Sequence, residues 1–268
     1  MILNKNISVR DIQRRYTYID KDELIPKAFW TLESSKDTHL VVVENKIPVG
    51  IISYKDFLRV LTNKARRGLI TKLHVSSLMT INLVTVEPDT SIQDAAKLMI
   101  KKGISSVLVE SGGKIVGIIT KRDLLKHIEI LPDVLLKTFM TKNPIAAPAG
   151  MSLTGAEKLL RDRKISTLPV VEEGNVIGYV DIRILAQFLL DAFLNQQHKH
   201  INKFIHEVTL GDIMKRPSYM LPDDKIHTFA KEILRRSFKG APIVSSYSTR
   251  NLLGVATETD VTKLIASI

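Results

Sequence analysis

One sequence pattern returns four times along this chain of 268 residues, and it constrains the fold more than any other feature. Each copy places a glycine in an apolar stretch and then passes through a polar residue into a helical pattern. A strand flanked by helices cannot bury both of its faces in a unit of about 60 residues, so we expect the copies to pack against one another. The copies read GIISYKDFLRVL, GIITKRDLLK, GYVDIRILAQFL and GVATETDVTKLI, and they start at Gly50, Gly117, Gly178 and Gly254.

The second copy shows the order of elements most clearly. A short apolar strand at Leu83–Val86 precedes a helical pattern over residues 91–103, which ends at a glycine. Two further strands, SSVLVE and KIVGIIT, flank a Gly-Gly turn. The unit is therefore strand, helix, strand, strand, helix, and four such units predict an α/β fold built from α+β repeats.

Pairing of the repeats predicts two modules. We expect repeats to pair sheet against sheet and the two pairs to stack. The spacing before the fourth copy is the longest, and the extra segment has the character of a helical connection. The predicted boundaries are residues 1–130 for the first module, with repeats at 7–64 and 74–130, and residues 131–268 for the second, with repeats at 134–192 and 208–268 joined by a helical insertion at 191–208.

Composition excludes several classes of site. The chain has no cysteine, which excludes disulfides, thiolate metal sites and cysteine nucleophiles. No apolar run reaches the roughly 20 residues of a membrane helix, and the first residues lack a signal-peptide pattern, so we expect a cytoplasmic protein without a membrane partner. The formal net charge of +11 favours acidic or phosphorylated partners. A basic run at residues 63–72 is interpreted as a solvated linker, with a binding patch as the alternative.

Three motifs in the repeats point to a known family. They are FMTKNP at Phe139–Pro144, ISTLPVV at Ile165–Val171 and GIITKRD at Gly117–Asp123. These motifs resemble the CBS domain, named after cystathionine beta-synthase, over residues 7–268. The resemblance implies that two repeats form a Bateman module with an adenosyl ligand in its clefts, namely AMP, ADP, ATP or S-adenosylmethionine. The four-repeat layout is similar to the gamma subunit of AMP-activated protein kinase and to stand-alone archaeal relatives.

A hydroxyl and a carboxylate three residues apart end the GIITKRD motif and match a ribose. A carboxylate can accept hydrogen bonds from both ribose hydroxyls, and the helix that begins there suits phosphate. The same two residues also fit a capping box, so a purely local role is the alternative. Both interpretations stay open for Thr120 and Asp123, for Ser53 and Asp56, and for Thr257 and Asp260.

The third repeat departs from this pattern. Asp181 replaces the hydroxyl and Ile184 replaces the carboxylate. Asp181 can still cap its helix, whereas Ile184 cannot bind a ribose. Since this repeat manages its cap without the carboxylate, the carboxylate of the second copy is better explained by a ribose.

Further candidates surround the predicted ribose pairs. Lys121 and Arg122 would place cations near a phosphate. The resemblance also implies a phosphate contact from a basic residue just before the second strand, where the sequence holds His39 and Lys239, with Ser105, Ser106, Ser166 and Thr167 in the other copies. Solvated side chains and ordinary strand packing are the alternatives for all of these residues. The first strands offer adenine contacts from Thr17 and Tyr18, Leu83 and Val84, and Ser218 and Tyr219.

No motif supports catalysis. The sequence lacks a P-loop, a GxGxxG after a strand and a nucleophile elbow. Three histidines, at 198, 200 and 206, lack a carboxylate pattern of metal-binding spacing, so we predict a polar connecting helix and no metal.

We therefore predict a non-catalytic nucleotide sensor. Ligand binding would shift the geometry of the paired repeats, and an unidentified protein partner would read the shift. The alternative is a basic scaffold for nucleic acid or an acidic protein, although no nucleic-acid-binding signature is present. The sequence leaves open whether four repeats form one disc within a chain or whether two chains face each other as a homodimer.

Overall fold

Four small sheets carry the four repeats. The computed structural model describes residues 7–35, 37–62, 70–195 and 207–268. One-turn 3-10 helices lie at Val75–Ser77, Ile128–Ile130 and Leu136–Thr138. The strands are β1 Tyr18–Asp20, β2 His39–Glu44, β3 Ile47–Ser53, β4 Thr85–Val86, β5 Ser106–Ser111, β6 Lys114–Thr120, β7 Thr141–Lys142, β8 Ala147–Pro148, β9 Thr167–Glu172, β10 Asn175–Asp181, β11 Gly240–Val244 and β12 Leu252–Thr257. The helices are α1 Val9–Ile12, α2 Ile25–Ser35, α3 Tyr54–Thr62, α4 Ile92–Lys102, α5 Lys121–Lys126, α6 Leu153–Asp162, α7 Ile182–Asn195, α8 Leu210–Ile213, α9 Ile226–Arg236 and α10 Glu258–Ala266.

The strands of each repeat follow the predicted order. In the first three repeats the first strand runs parallel to the second, and the second and third form an antiparallel hairpin. In the fourth repeat a single parallel bridge from Met220 to Ile243 replaces the first strand, while β11 and β12 form the hairpin. The α/β fold of four strand, helix, strand, strand, helix repeats is thus confirmed.

Paired repeats exchange backbone contacts through the segment that precedes each first strand. Arg14 of the first repeat bridges to Ile118 of the second, and Thr80 of the second repeat bridges back to Ile51 of the first. The exchange joins the first repeat to the second and the third to the fourth. The equivalent contacts of the other pair are Thr141 with Val255 and Lys215 with Tyr179.

This exchange explains the glycine in each copy of the repeat. A Cβ on Gly50 would lie 2.7 Å from Met79 Sδ, and a Cβ on Gly178 would lie 2.1 Å from Met214 Sδ. Each glycine therefore makes room for a side chain from the paired repeat, an approach that any Cβ would block. The corresponding contacts in the other two repeats are Gly254 with Met140 Sδ at 2.7 Å and Gly117 with Gln13 Oε1 at 2.8 Å.

The helices hold the two pairs together. α3 of the first repeat packs against α7 of the third, and α4 of the second repeat packs against α10 of the fourth. One apolar cluster spans the first and third repeats, and a second cluster spans the second and fourth. A smaller cluster of Val41, Val43, Leu108 and Ile118 joins the first two sheets. Sheet contacts therefore join the first two repeats, and helix contacts join the two pairs within a single chain.

Local signals set the predicted helix in the second repeat. Ser91 Oγ accepts a hydrogen bond from Asp94 N at 3.0 Å, and Gly103 ends α4 with a left-handed φ of 66°. The predicted insertion at 191–208 is described only in part, since α7 reaches Asn195 and residues 196–206 lie outside the described residues. Over the described ranges, every helix is too short or too polar to cross a bilayer.

Candidate functional site

The residues predicted to bind ribose lie where each third strand ends and a helix begins. Asp123 Oδ2 accepts hydrogen bonds from Thr120 N at 3.0 Å and from Thr120 Oγ1 at 2.8 Å. The same bonds to the carboxylate form in the first repeat, from Ser53 to Asp56 Oδ2, and in the fourth, from Thr257 to Asp260 Oδ2. In all three repeats these bonds end on Oδ2, so the cap leaves the second carboxylate oxygen for other contacts. The capping and ribose interpretations are therefore compatible.

The third repeat keeps the cap and loses the carboxylate. Asp181 Oδ1 accepts a hydrogen bond from Ile184 N at 2.9 Å, so its predicted capping role is confirmed. Burial raises the pKa of Asp181. Ile184 is buried in the apolar cluster of the first and third repeats. No ribose contact is available at this position.

An open cleft of about 190 Å³ lies between the first and second repeats. Ser53 and Asp56 line it from the first repeat, and Leu83, Val84 and Ile104 line it from the second. The adenine contacts predicted on the second repeat thus face the ribose pair of the first repeat, not the pair of their own repeat. Asp56 contributes a carboxylate next to an apolar slot.

The Asp56 carboxylate is poorly solvated. Its side chain is 14% exposed, and one oxygen lies 3.3 Å from Arg59 Nη2. Burial raises its pKa above the ordinary value. Hydrogen bonds from two ribose hydroxyls would stabilise the ionised form, since donors to a buried carboxylate offset its lost hydration.

A second cavity, of about 70 Å³, lies where the four repeats meet. Each repeat contributes the residue that directly precedes its second strand in the hairpin. Several cations line the cavity together with the carboxylate of Glu258, so its local charge is positive. The four equivalent residues are Thr38, Ser105, Ser166 and Lys239, and the other cations are Lys55, Lys121 and Arg183.

His39 contributes hydrogen bonds to this cavity and carries no charge at neutral pH. Its Nε2 lies 2.9 Å from Ser105 Oγ, and its Nδ1 lies 2.8 Å from Thr38 Oγ1. Burial and the nearby charge of Lys239 lower the pKa of His39 to about 3. The imidazole therefore stays neutral until well below pH 6.

Lys121 supplies a poorly compensated positive charge. Its Nζ donates to Thr259 Oγ1 at 3.0 Å, and burial together with the charge of Lys55 lowers its pKa to about 8. An anion in the central cavity would relieve this repulsion. Of the two predicted cations of the second repeat, Lys121 reaches the cavity, whereas Arg122 donates to Leu234 O at 2.7 Å in the fourth repeat.

Strand register corrects the predicted match between His39 and Lys239. His39 pairs directly with Ser53. Lys239 comes one residue before the strand position opposite Thr257. Lys239 therefore matches Thr38, and the predicted equivalence is wrong by one residue, although both His39 and Lys239 line the central cavity.

The first strands need the same correction. Thr17 O accepts a hydrogen bond from Val41 N at 2.9 Å, and Val84 O accepts one from Leu108 N at 2.9 Å. Thr17 thus matches Val84, and Tyr18 lies one residue further along, with 59% of its surface exposed. The pair predicted on the first repeat, Thr17 and Tyr18, therefore lies one residue further along its strand than the pair predicted on the second repeat, Leu83 and Val84.

The adenine residues predicted on the fourth repeat make contacts within the protein. Ser218 is buried and donates to Glu232 Oε1 at 2.6 Å. Tyr219 donates its hydroxyl proton to Val176 O at 3.2 Å, and the guanidinium of Arg250 lies 5.3 Å from the centre of its ring. Of these contacts, the bond from Tyr219 to Val176 ties the fourth repeat to the third.

The pair that the sequence favours most for ribose, Thr120 and Asp123, is buried. They are 2% and 3% exposed. Asp123 accepts from Lys126 Nζ at 2.9 Å and from Arg14 Nε at 3.2 Å. Although burial raises the pKa of Asp123, Arg14 and Lys126 hold it below the ordinary value. This carboxylate is already neutralised by the protein.

Two sequence features lie wholly or mostly outside the description. The three histidines of the insertion and residues 63–69 of the basic run belong to the undescribed segments. In the described ranges, no group of three or more histidine, aspartate or glutamate side chains is arranged to hold a metal ion.

Sequence reasoning missed Arg14 and Asp37, and it missed the cleft residues Thr80 and Ile104. A usable signal was present for the first of them. A Met-Thr dipeptide precedes the first strand in the second and third repeats, but the first repeat reads Gln-Arg there. Thr80 lines the open cleft from that place in the second repeat, so the arginine marks a difference between the first repeat and the second.

Comparisons with known proteins cover nearly the whole chain. A family model described as the CBS domain matches residues 9–63, 75–130, 136–191 and 210–267. Protein MJ1225 of Methanocaldococcus jannaschii is 25% identical over 262 residues, which cover 90% of this chain and 92% of that protein. Its crystal structure, described as a proposed archaeal homologue of gamma-AMPK, superimposes with a TM-score of 0.85 at 21% identity, covering 97% of this chain and 100% of that one.

Other relatives share only part of their length. Protein MJ1404 of the same organism is 28% identical over 98% of this chain, which spans 62% of that protein. Inosine-5'-monophosphate dehydrogenase of Aquifex aeolicus is 43% identical over 110 residues, 39% of this chain and 22% of the enzyme. Four matches to one family model, in the four repeats that the strands and helices define, place the protein in a known family. The chain belongs to the CBS domain family, with four CBS domains in tandem.

Proposed function

We propose that this protein is a non-catalytic regulatory sensor that binds AMP, ADP or ATP in the cleft between its first and second repeats. Adenine lies against Leu83, Val84 and Ile104, and the ribose hydroxyls donate to Asp56. The phosphates extend towards the central cavity. S-adenosylmethionine, the other adenosyl ligand that the family resemblance suggests, is the competing candidate.

The observation that carries this proposal is the continuity of the two cavities. His39, Ser53, Lys55 and Ser105 line both the open cleft and the central cavity. The cleft offers an apolar slot and a carboxylate, and the cavity beyond it offers cations. This order of chemistry matches the order of adenine, ribose and phosphate along a nucleotide.

The same geometry suggests how ligand binding would shift the arrangement of the two pairs of repeats. The central cavity takes residues from all four repeats. A phosphate there contacts groups on both pairs, so it binds most tightly to the arrangement that brings those groups together. Such differential affinity is what a ligand needs to shift a conformational equilibrium. The similarity to MJ1225, a proposed archaeal homologue of gamma-AMPK, adds an energy-sensing role to the hypothesis.

The described cations favour a small phosphorylated ligand over nucleic acid. Lys121 and Lys239 line a cavity of about 70 Å³ between the four repeats, a volume too small for a stretch of nucleic-acid backbone. A protein that neutralises several backbone phosphates also loses affinity steeply with salt. A contact between a ribose and the buried Asp56 would be much less sensitive to salt.

The test is a calorimetric titration of wild type and Asp56→Asn with AMP, ADP, ATP and S-adenosylmethionine. Losing a hydrogen bond to a charged group costs about 1.5–3 kcal/mol, so we expect Kd to rise roughly 10- to 100-fold. Saturating ligand should also raise the free energy of unfolding of the wild type, by about 2.7 kcal/mol at 100 times Kd.

Asp212→Asn is the matched control. Asp212 closes the same capping box on Thr209, with bonds of 2.8 Å, but it lies on an exposed helix start away from the cleft. Both variants weaken a cap by removing its negative charge, and only Asp56→Asn also weakens a ribose contact. Equal affinity of the two variants for every ligand would leave Asp56 with a capping role alone and reject the proposal.

A further inference from the structure

The first pair of repeats contains two clefts related by the repeat, and they share the carboxylate, Asp56 or Asp123, but differ at three other equivalent positions. Strand register matches Thr17 with Val84, and it places Asp37 and Ile104 two residues before the matched strand positions. The two bridges between the repeats match Arg14 with Thr80. One cleft is thus lined by Thr80, Val84, Ile104 and Asp56, and its counterpart holds Arg14, Thr17, Asp37 and Asp123.

The counterpart residues are joined by hydrogen bonds and ion pairs into one polar network. Thr17 Oγ1 donates to Asp37 Oδ2 at 2.5 Å, and Arg14 Nη1 lies 2.7 Å from Asp37 Oδ1. Arg14 Nε then donates to Asp123 at 3.2 Å. The network is largely buried, with 27% of the Arg14 side chain, 16% of Asp37 and 4% of Asp123 exposed.

This polar network takes the place of the groups that would contact a ligand in the open cleft. In the open cleft Val84 and Ile104 are apolar and suit an adenine ring. Asp37 puts a carboxylate in the place of Ile104. The guanidinium of Arg14 donates to Asp123 as ribose hydroxyls would donate to Asp56. A nucleotide entering here would have to break two sheltered ion pairs and leave their charges uncompensated, which is costly.

We propose that the side chains of Arg14 and Asp37 fill the second cleft, so that the first pair of repeats binds an adenosyl ligand in the open cleft only. The inference rests on the proposed function for the class of ligand. It assigns Arg14 and Asp37 as the residues that decide which cleft is available. It also makes Asp123 a structural partner of Arg14 instead of a ligand contact.

The test converts the closed cleft into a copy of the open one. Arg14→Thr with Asp37→Ile installs the residues of the second repeat and leaves the net charge unchanged. Calorimetric titration with AMP should then show one more site per chain than wild type. In an Asp56→Asn background the same double substitution should restore AMP binding, and adding Asp123→Asn should abolish the restored binding.

The control removes an ion pair elsewhere in the first pair of repeats. Arg10 and Asp89 form an exposed pair at 2.8 Å, with side chains 61% and 79% exposed. Arg10→Thr with Asp89→Asn should leave the number of AMP sites unchanged. An extra site in this control as well would show that the gain does not come from the second cleft.

Hydrogen exchange of the wild type with saturating AMP gives a readout that does not depend on the folding of a variant. We expect added protection at the start of α3, residues 53–59, and none at residues 123–126 of α5, which lie beyond Lys121 and outside the central cavity. Equal protection of both segments would overturn the inference. So would an unchanged number of sites in the Arg14→Thr, Asp37→Ile variant while wild type binds AMP. Failure of both proteins to bind any adenine nucleotide would overturn this inference and the proposed function together.

Discussion

Lys121 illustrates how burial would prepare a side chain for the phosphates of the proposed ligand. Its ammonium lies in a cavity that also receives Lys55 and Lys239. Burial and the charge of Lys55 lower its pKa to about 8. An anion in the cavity would restore the protonated form, because an opposite charge within a few ångströms stabilises it. Binding of phosphate and protonation of Lys121 are therefore linked.

This linkage predicts the pH dependence of ATP binding. The pKa of Lys121 is about 8 in the free protein and rises in the complex. Affinity should be constant below pH 8, where both states carry the proton. Above pH 8 the free protein loses the proton that the complex keeps, so affinity should fall by up to about tenfold per pH unit. Calorimetric titration between pH 7 and 9.5 measures the effect.

Lys121→Arg separates this lysine from other titrating groups. A guanidinium stays protonated throughout this range, so the variant should bind ATP with little change in affinity up to pH 9.5. The profile of AMP, which carries fewer phosphates, should be flatter than that of ATP in the wild type. Identical ATP profiles for wild type and Lys121→Arg would show that Lys121 does not meet the phosphates.

At the scale of elements, the repeat depends on a contact between a strand and the segment donated by its partner. Met214 of the fourth repeat lies over Gly178 of the third, where a Cβ would come within 2.1 Å of the sulfur. Lys215, the next residue, forms the bridge to Tyr179. The glycine thus lets the two backbones approach, and the sulfur fills the space that its missing side chain leaves.

Gly178→Ala should lower the free energy of unfolding by about 1–3 kcal/mol, the usual cost of overpacking. Met214→Ala alone opens a cavity, and combining it with Gly178→Ala should give a smaller loss than the sum of the two. Chemical denaturation of the single and double variants measures this coupling. Gly150→Ala is the control, because nothing lies within 4 Å of a Cβ there. Additive losses would mean that the two side chains do not compete for the same space.

The elements were more predictable than the clefts between them. Glycine, helix period and turn residues are local signals, and they placed the second and third strands and the long helices of each repeat correctly. The first strands carry only two or three residues, and their register comes from a parallel pairing with a distant strand. The segment between the bridge and that strand holds three residues after Arg14 and four after Thr80. Matching by sequence spacing therefore slips by one residue.

The partners of each ribose pair were unpredictable for a related reason. Leu83 and Asp123 belong to the same repeat, which suggests that they line the same cleft. The backbone exchange between repeats instead places Leu83 opposite Asp56. Arg14 closes the other cleft from a distance of 109 positions along the chain. Only the packing of paired sheets brings these side chains together.

At the scale of the whole molecule, neither pair of repeats is complete alone. The helices of each pair bury their apolar faces on the other pair, with Phe57 and Leu61 of α3 in one cluster with Leu185 and Leu189 of α7. The central cavity likewise takes Ser166 and Lys239 from the second pair. Stability and the phosphate end of the site should therefore depend on both pairs together.

A chain cut after residue 130 tests this dependence. The fragment 1–130 exposes the helix faces that α7 and α10 cover, and an exposed apolar patch of that kind drives association. We expect the fragment to form dimers or larger species by light scattering, and to unfold at a lower temperature than the full chain. Adding the fragment 131–268 should restore a 1:1 complex and ATP affinity, because it returns Ser166 and Lys239 to the central cavity. A monomeric fragment 1–130 with the stability and ATP affinity of the full chain would mean that the first pair folds and binds independently.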